Sequence, residues 1–210
     1  MRNEGIRPGR RKIGSEPLRP QRNATLSVGT LLRSLYLLHF SQPASDRAVY
    51  RAVKSRPIRS IVEIGIGSGG RTQRLLEVAA WRAASLPLRY TGIDLFEARP
   101  AGSPGHSLKE AFALFQRPGV KVQLVPGEAD VALRRVANAL AGTELLLISA
   151  GLDAESLARA WTWLPRMLTA QSSVFLEEPA KAVATGWRKL TIADVQQRAG
   201  AASRALRRAA

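Results

Sequence analysis

An acidic residue, Glu63, stands two positions before a cluster of glycines, Gly65, Gly67, Gly69 and Gly70, in the segment IVEIGIGSGG that runs from Ile61 to Gly70. Glycines spaced this way after an apolar run let the chain turn sharply, bring backbone atoms against a ligand and start a helix close to a sheet. That geometry suits a nucleotide-like cofactor. The same letters satisfy G-x-G-x-x-G through Gly65, Gly67 and Gly70, the pattern of nicotinamide and flavin sites, so the glycines alone leave the cofactor open. A carboxylate near the end of an otherwise apolar strand is costly if unpaired, so Glu63 needs a partner, whether a ligand or a local capping or pairing group.

Further candidates follow along the chain. Asp94 ends the strand-like YTGIDL, 24 residues past Gly70, where α/β nucleotide-binding folds place an acid that accepts hydrogen bonds from ribose hydroxyls. Capping of the next loop would use the same carboxylate. Glu128 follows Gly127 after the strand-like Val120 to Val125, and also suits the first turn of a helix through the macrodipole. Glu177 and Glu178, ahead of Pro179, are the general-base candidates, although carboxylates at a strand end also pair with arginine. His106 falls on the loop after the second strand, near where an acceptor would enter, or simply at a solvated helix start. His39 lies in an apolar helix without evident chemistry. Trp161 and Trp163 could line a pocket, and Trp161 also fits a core-facing stripe.

An acid followed by G-x-G-x-G, matched by Glu63, Gly65, Gly67 and Gly69, resembles the first motif of the class I S-adenosylmethionine-dependent methyltransferases. Dinucleotide enzymes more often have an apolar residue at the Glu63 position. The resemblance implies S-adenosyl-L-methionine as cofactor, with Glu63 at its methionine end and the loop of Gly65, Ile66, Gly67 and Gly69 beneath it. Asp94 would take the ribose, Leu95 would flank the adenine and Glu128 would reach its amino group. It covers about Arg59 to Pro179 and is specific chiefly at the first motif. Some family patterns are missing. The Asn/Asp-Pro-Pro-aromatic motif of exocyclic-amine methyltransferases is absent after the fourth strand, and Ser149 stands near where catechol-type enzymes carry a metal-binding aspartate. The implied activity is methyl transfer to an unidentified acceptor. An NAD(P)-dependent oxidoreductase and a non-catalytic nucleoside- or RNA-binding protein on the same fold are the alternatives.

The elements that must position these residues alternate. Leu75, Leu76, Ala79 and Ala83 share one helical face after the glycines; Leu108, Ala111, Phe112 and Phe115 make a stripe at i, i+3, i+4 and i+7; Leu133, Val136, Ala137 and Leu140 make another. Strands are expected at Glu144 to Ser149 and Ser173 to Glu177, with a helix from Ala154 to Thr169 kinked at Pro165 between them. Alternating strands and helices predict a parallel sheet with helices on both faces, and the resemblance implies a three-layer α/β, Rossmann-like sheet of at least five strands, order 3-2-1-4-5. N-terminal helices precede it. Full members of the family add an antiparallel pair beside the fifth strand, and the 31 residues after Pro179 do not read as a hairpin. Those strands are expected to be missing or reduced to something short around Trp187 to Leu190. An open edge on the fifth strand would then need cover from a helix or a second subunit, which makes a dimer through that edge an expectation.

Composition bounds the rest. The chain has 210 residues, 45% of them hydrophobic, and no apolar run long enough to span a bilayer, so one cytoplasmic α/β domain is expected over 25–190. A disordered basic tail over 1–24 and a basic helix over 191–210 would flank it. Leu31 to Phe40 is interrupted by Arg33 and His39 and reads as an amphipathic helix rather than a signal segment. The absence of cysteine excludes disulfides, thiolate metal sites and the cysteine-nucleophile route to C5 methylation of pyrimidines. The net charge of +16 sits at the ends: residues 1–60 hold 13 Lys/Arg against 3 Asp/Glu, residues 61–180 hold 12 against 12, and residues 181–210 hold 7 against 1. Basic ends on a neutral body point to nucleic acid, an acidic partner or an anionic surface. A GC-rich genome gives the same arginine excess without any binding role.

Overall fold

The computed structural model describes residues 28–82, 87–178 and 186–209. The stretch expected as a basic tail, 1–24, and Pro179 lie outside the described residues. Six strands form one sheet in the order β3-β2-β1-β4-β5-β6: β1 (Ser60–Ile64), β2 (Leu88–Asp94), β3 (Val120–Pro126), β4 (Thr143–Ile148), β5 (Leu168–Glu178) and β6 (Gly186–Leu190). The first five are mutually parallel, and β6 returns antiparallel along β5, pairing Val174 with Leu190 and Glu178 with Gly186.

Side chains alternate across the strands and so divide the core in two. Ile61, Leu88, Tyr90, Leu145, Leu147 and Phe175 face a layer built by α1 (Val28–His39), α2 (Arg47–Ser55), α3 (Gly70–Arg82) and α4 (Leu108–Phe115). Val62, Ile64, Ile93, Leu146, Ile148, Val174 and Leu190 face α5 (Ala129–Val136), α6 (Ala154–Ala160) and α7 (Ile192–Ala209). Each β1 residue is buried, which explains why that strand reads as a nearly continuous apolar run. Glu63 is its charged exception, and the period of two turns Glu63 toward the α3 layer with Ile61.

Several local expectations are revised. The helix expected over Ala154 to Thr169 ends at Ala160, followed by a turn, a short 3-10 segment at Leu164–Arg166 and the start of β5 at Leu168. Pro165 cannot donate an N–H and its ring obstructs a continuing α-helix, so the chain breaks where a kink was expected. The apolar stripe survives the break, because Trp161 and Leu164 are still buried against the sheet. Phe112 is exposed on α4, whose buried face is carried by Ala111 and Phe115. The edge of β5 is not open: β6 occupies it, so the short strand expected near Trp187 exists, and no second antiparallel partner stands beside it among the described residues. The C-terminal helix buries Val195 and Ala199 and packs beside α6, so it is part of the layer rather than a free surface helix. No helix among the described residues is long and apolar enough to cross a membrane.

Candidate functional site

The carboxyl ends of β1, β2, β4 and β5 open onto a cavity of about 630 Å³. Its floor is the loop after β1. Gly65, Gly67 and Gly69 have φ of 84°, 62° and 72°, the left-handed region that side chains disfavour. Gly65 is also fixed by crowding, since a Cβ there would stand 2.8 Å from Cβ of Ser149. Gly92 has the same constraint inside β2: a Cβ would come within 2.6 Å of Cδ1 of Ile66, the residue that packs the loop down on the sheet.

Asp94 ties the loop in place. Its Oδ2 accepts the backbone N–H groups of Ile66 (2.6 Å) and Gly67 (3.0 Å), while Oδ1 accepts that of Leu95 at 2.7 Å. Arg99 pairs with the same carboxylate at 2.6 Å and donates to the carbonyl of His106 at 3.2 Å. His106 Nε2 in turn lies 3.0 Å from the Ser68 carbonyl, and because a carbonyl only accepts, that nitrogen carries the proton. The segment from Arg99 to His106 is thereby strapped to the glycine loop across one side of the cavity. Phe96, in the turn that begins this segment, is buried with a left-handed φ of 50°.

Glu63 does not line the cavity. It is fully buried, and its two oxygens are taken up by Arg71 (Nε at 2.9 Å), the Thr72 hydroxyl (2.7 Å) and the Tyr90 phenol (2.8 Å). Burial pushes the Tyr90 phenol well above its ordinary range, and the Glu63 charge pushes it further the same way. Within the chain, Glu63 is thus paired by Arg71 and Thr72 in the first turn of α3 and by Tyr90 on β2.

Arg71 is the residue that the sequence did not single out. Besides Glu63, its guanidinium donates to the Gly65 carbonyl at 3.1 Å, to the Ser149 hydroxyl at 2.6 Å and to Glu177 at 3.4 Å. Its Cζ stands 4.9 Å from the ring centroid of Trp187 on β6, whose indole N–H donates to the buried Asp46 at 3.0 Å. Burial works against the charge, but Glu63, Glu177 and Asp46 outweigh it and hold the Arg71 proton above the ordinary arginine value. A signal for Arg71 was present, since an acid in an apolar strand needs a cation and Arg71 is the first one after it in the sequence.

The cavity brings together Gly65, Ile66, Gly67, Asp94, Leu95, Glu128 and Glu177, and leaves out Glu63, Gly69 and Glu178. Glu178 instead pairs across the strands with Arg188 at 2.9 Å, both side chains about half exposed. Glu177 accepts the Ala150 N–H at 3.2 Å through the oxygen that faces Arg71. Glu128 lies at the start of α5 with a half-exposed carboxylate at the cavity rim. Trp161 and Trp163 are stacked by Arg198 and Arg166 away from this cavity, and His39 is exposed at the end of α1.

No protein-family model matches the chain, and no curated protein matches it in sequence. Solved structures do match in fold. A calicheamicin methyltransferase is 20% identical with a TM-score of 0.47, over 71% of this chain and 77% of that one. A TehB-like SAM-dependent methyltransferase from Corynebacterium glutamicum is 17% identical with a TM-score of 0.47, over 83% of this chain and 80% of that one. The methyltransferase domain of a bacterial Hen1 protein is 15% identical with a TM-score of 0.43, over 76% of this chain and 81% of that one. The strand order β3-β2-β1-β4-β5-β6 with helices on both faces is itself that of a Rossmann-like sheet.

Proposed function

We propose that the cavity binds S-adenosylmethionine and that the protein transfers its methyl group to an acceptor. The observation that carries this reading is the charge of the cavity wall. Asp94, Glu128, Asp153 and Glu177 line it against Arg71 and Arg99, and both arginines are already paired with carboxylates. An anionic wall favours a cationic sulfonium and disfavours the pyrophosphate of a dinucleotide, which would meet unneutralised carboxylates at close range. The antiparallel β6 supports the same choice, since a dinucleotide fold builds its second half as another set of parallel βαβ crossovers.

The residues present fit the ligand. A volume of about 630 Å³ lies within the usual range for a small-molecule site. Asp94 at the end of β2 would take ribose hydroxyls, with Arg99 moving off its carboxylate, and Leu95 would flank the base. Bound there, S-adenosylmethionine supplies a methyl group for in-line displacement, in which a nucleophile bonds to the carbon as the carbon–sulfur pair returns to sulfur. The protein's contribution is positioning and charge, with the glycine loop setting the ligand's height over the sheet. Glu177 already accepts from Arg71 and from the Ala150 N–H, so we assign it to holding ligand rather than to base catalysis. Loss of the acceptor's proton to solvent or to the acceptor's own groups would complete the reaction.

Calorimetric titration with S-adenosylmethionine, S-adenosylhomocysteine, NAD and NADP tests the reading. Binding of the two adenosyl ligands with no response to the dinucleotides is expected. Tight dinucleotide binding without an adenosyl response would overturn it, and adenosyl binding without labelled methyl transfer to any cell-extract component would favour a non-catalytic binder.

A further inference from the structure

Glu63 is consumed by Arg71, Thr72 and Tyr90, so the buried acid has no oxygen left over for a ligand. Among the charged groups that line the cavity, Arg71 and Glu177 stand beside Ser149 with side chains only 14% and 15% exposed. Their mutual contact, 3.4 Å, is the longest that Arg71 makes with these partners, against 2.6 Å to Ser149, 2.9 Å to Glu63 and 3.1 Å to Gly65. Nη1 of Arg71 has Glu177 as its one hydrogen-bond partner among the described residues. Both contacts to Glu177, from Arg71 and from the Ala150 N–H, fall on Oε2.

A loosely joined cation and anion, side by side on a cavity wall, match the head-to-tail dipole of an α-amino acid, whose carboxylate and ammonium share one carbon. Two carboxylates around one guanidinium leave one negative charge among Glu63, Arg71 and Glu177, which favours a ligand that brings an ammonium. Glu177 ends β5, and Arg71 in the first turn of α3 reaches Ser149 just past β4, so the pair stands on the opposite side of β1 from Asp94 at β2. An adenosyl amino acid laid across the loop therefore presents its two ends to the two sites. We propose that Arg71 and Glu177 together form the receptor for the amino-acid moiety, Arg71 taking the carboxylate and Glu177 the ammonium; this rests on the adenosyl reading of the cavity. Trp187 and Asp46 act as positioning residues that fix the guanidinium from behind.

The test uses the full chain and three ligands with the same adenosine thioether: S-adenosylhomocysteine, its decarboxylated form, which keeps the ammonium, and methylthioadenosine, which has neither group. Glu177→Gln should weaken the first two by about 10- to 100-fold and leave methylthioadenosine unchanged, the range expected for losing a hydrogen bond to a charged group. Arg71→Lys, which keeps a cation opposite Glu63 but loses the fork, should weaken S-adenosylhomocysteine alone. A thermal melt of each variant checks the fold, and if Arg71→Lys does not fold then Glu177→Gln decides. Equal loss for all three ligands, or no loss for S-adenosylhomocysteine, would overturn the receptor while leaving the adenosyl reading intact. A wild-type protein that binds none of the three would overturn both.

Discussion

Glu63 shows how one buried charge organises this site. Two hydroxyls and a guanidinium satisfy it, and removing any one leaves part of a carboxylate in a medium that cannot solvate it. Tyr90→Phe keeps the ring that packs edge-on against Phe115, with centroids 5.7 Å apart, and deletes only the donor. It should cost about 1.5 to 3 kcal/mol in urea unfolding at neutral pH, the range for a hydrogen bond to a charged group. The pH dependence has a definite sign. Because the folded phenol is raised above its ordinary value of 10.0, the unfolded chain ionises first, and this stabilisation, complete below about pH 10, is lost as pH rises beyond it. The wild-type advantage over Tyr90→Phe should therefore shrink in alkali, with Tyr50, raised to about 12, still contributing in both proteins. An advantage that grew above about pH 10 would contradict the burial argument. Asp94→Ala should weaken S-adenosylhomocysteine by about 1 to 3 kcal/mol in a calorimetric titration, since it also frees the Ile66 and Gly67 N–H groups that hold the loop. Unchanged affinity in a folded variant would remove Asp94 from the site. Asp94 could be located in the sequence because its spacing from the glycines is set by one strand-helix-strand unit. Arg99 could not be assigned a partner, because which carboxylate an arginine on a loop meets is decided by loop closure and not by spacing.

At the scale of elements, β1 and β4 were legible because each is a short, mostly apolar run buried on both faces, whereas β3 showed as an alternation and β5 only through its buried Val174 to Leu176. The region after α5 was less so. Leu157, Trp161, Leu164 and Leu168 have helical spacing, yet only the first turns are helical, since Pro165 breaks the ladder and Leu168 already pairs with Thr143. Strand β6 was visible only as a short remnant, because GWRKL has one buried residue and takes its order from the exposed edge of β5. The α5–α6 seam has a polar lock that periodicity could not reveal: Asp130 accepts from Arg159 at 2.6 Å and from the Ser156 hydroxyl at 2.8 Å. Burial alone would raise the Asp130 carboxyl, but Arg159 and Ser156 outweigh it and hold it below its ordinary value of 3.8. A lowered folded value gives stability that is present above the unfolded pKa and lost as pH falls through the folded one. Asp130→Asn should thus cost about 1 kcal/mol at neutral pH, a modest figure for a solvent-accessible pair, and the two proteins should converge below about pH 4. Parallel curves from neutral pH down to about pH 3 would show that the lock does not depend on the charge.

Over the whole molecule, the charge is divided: the chain carries +16, yet the cavity wall has more carboxylates than arginines. We propose nucleic acid as the partner of the basic ends, and residues 1–22, with seven Lys/Arg against two Asp/Glu, are the segment to remove. Every phosphate of a single strand that is no longer neutralised lowers the slope of log affinity against log salt by about 0.7. Deleting residues 1–22 should therefore flatten the salt dependence of binding to a single-stranded RNA and lower affinity most at low salt, as measured by fluorescence anisotropy across a salt series. S-adenosylhomocysteine affinity, measured alongside, should not change, which separates loss of charge from damage to the fold. An unaltered salt slope would mean that the arginine-rich end makes no phosphate contacts, and its composition would then reflect nucleotide bias in the coding sequence.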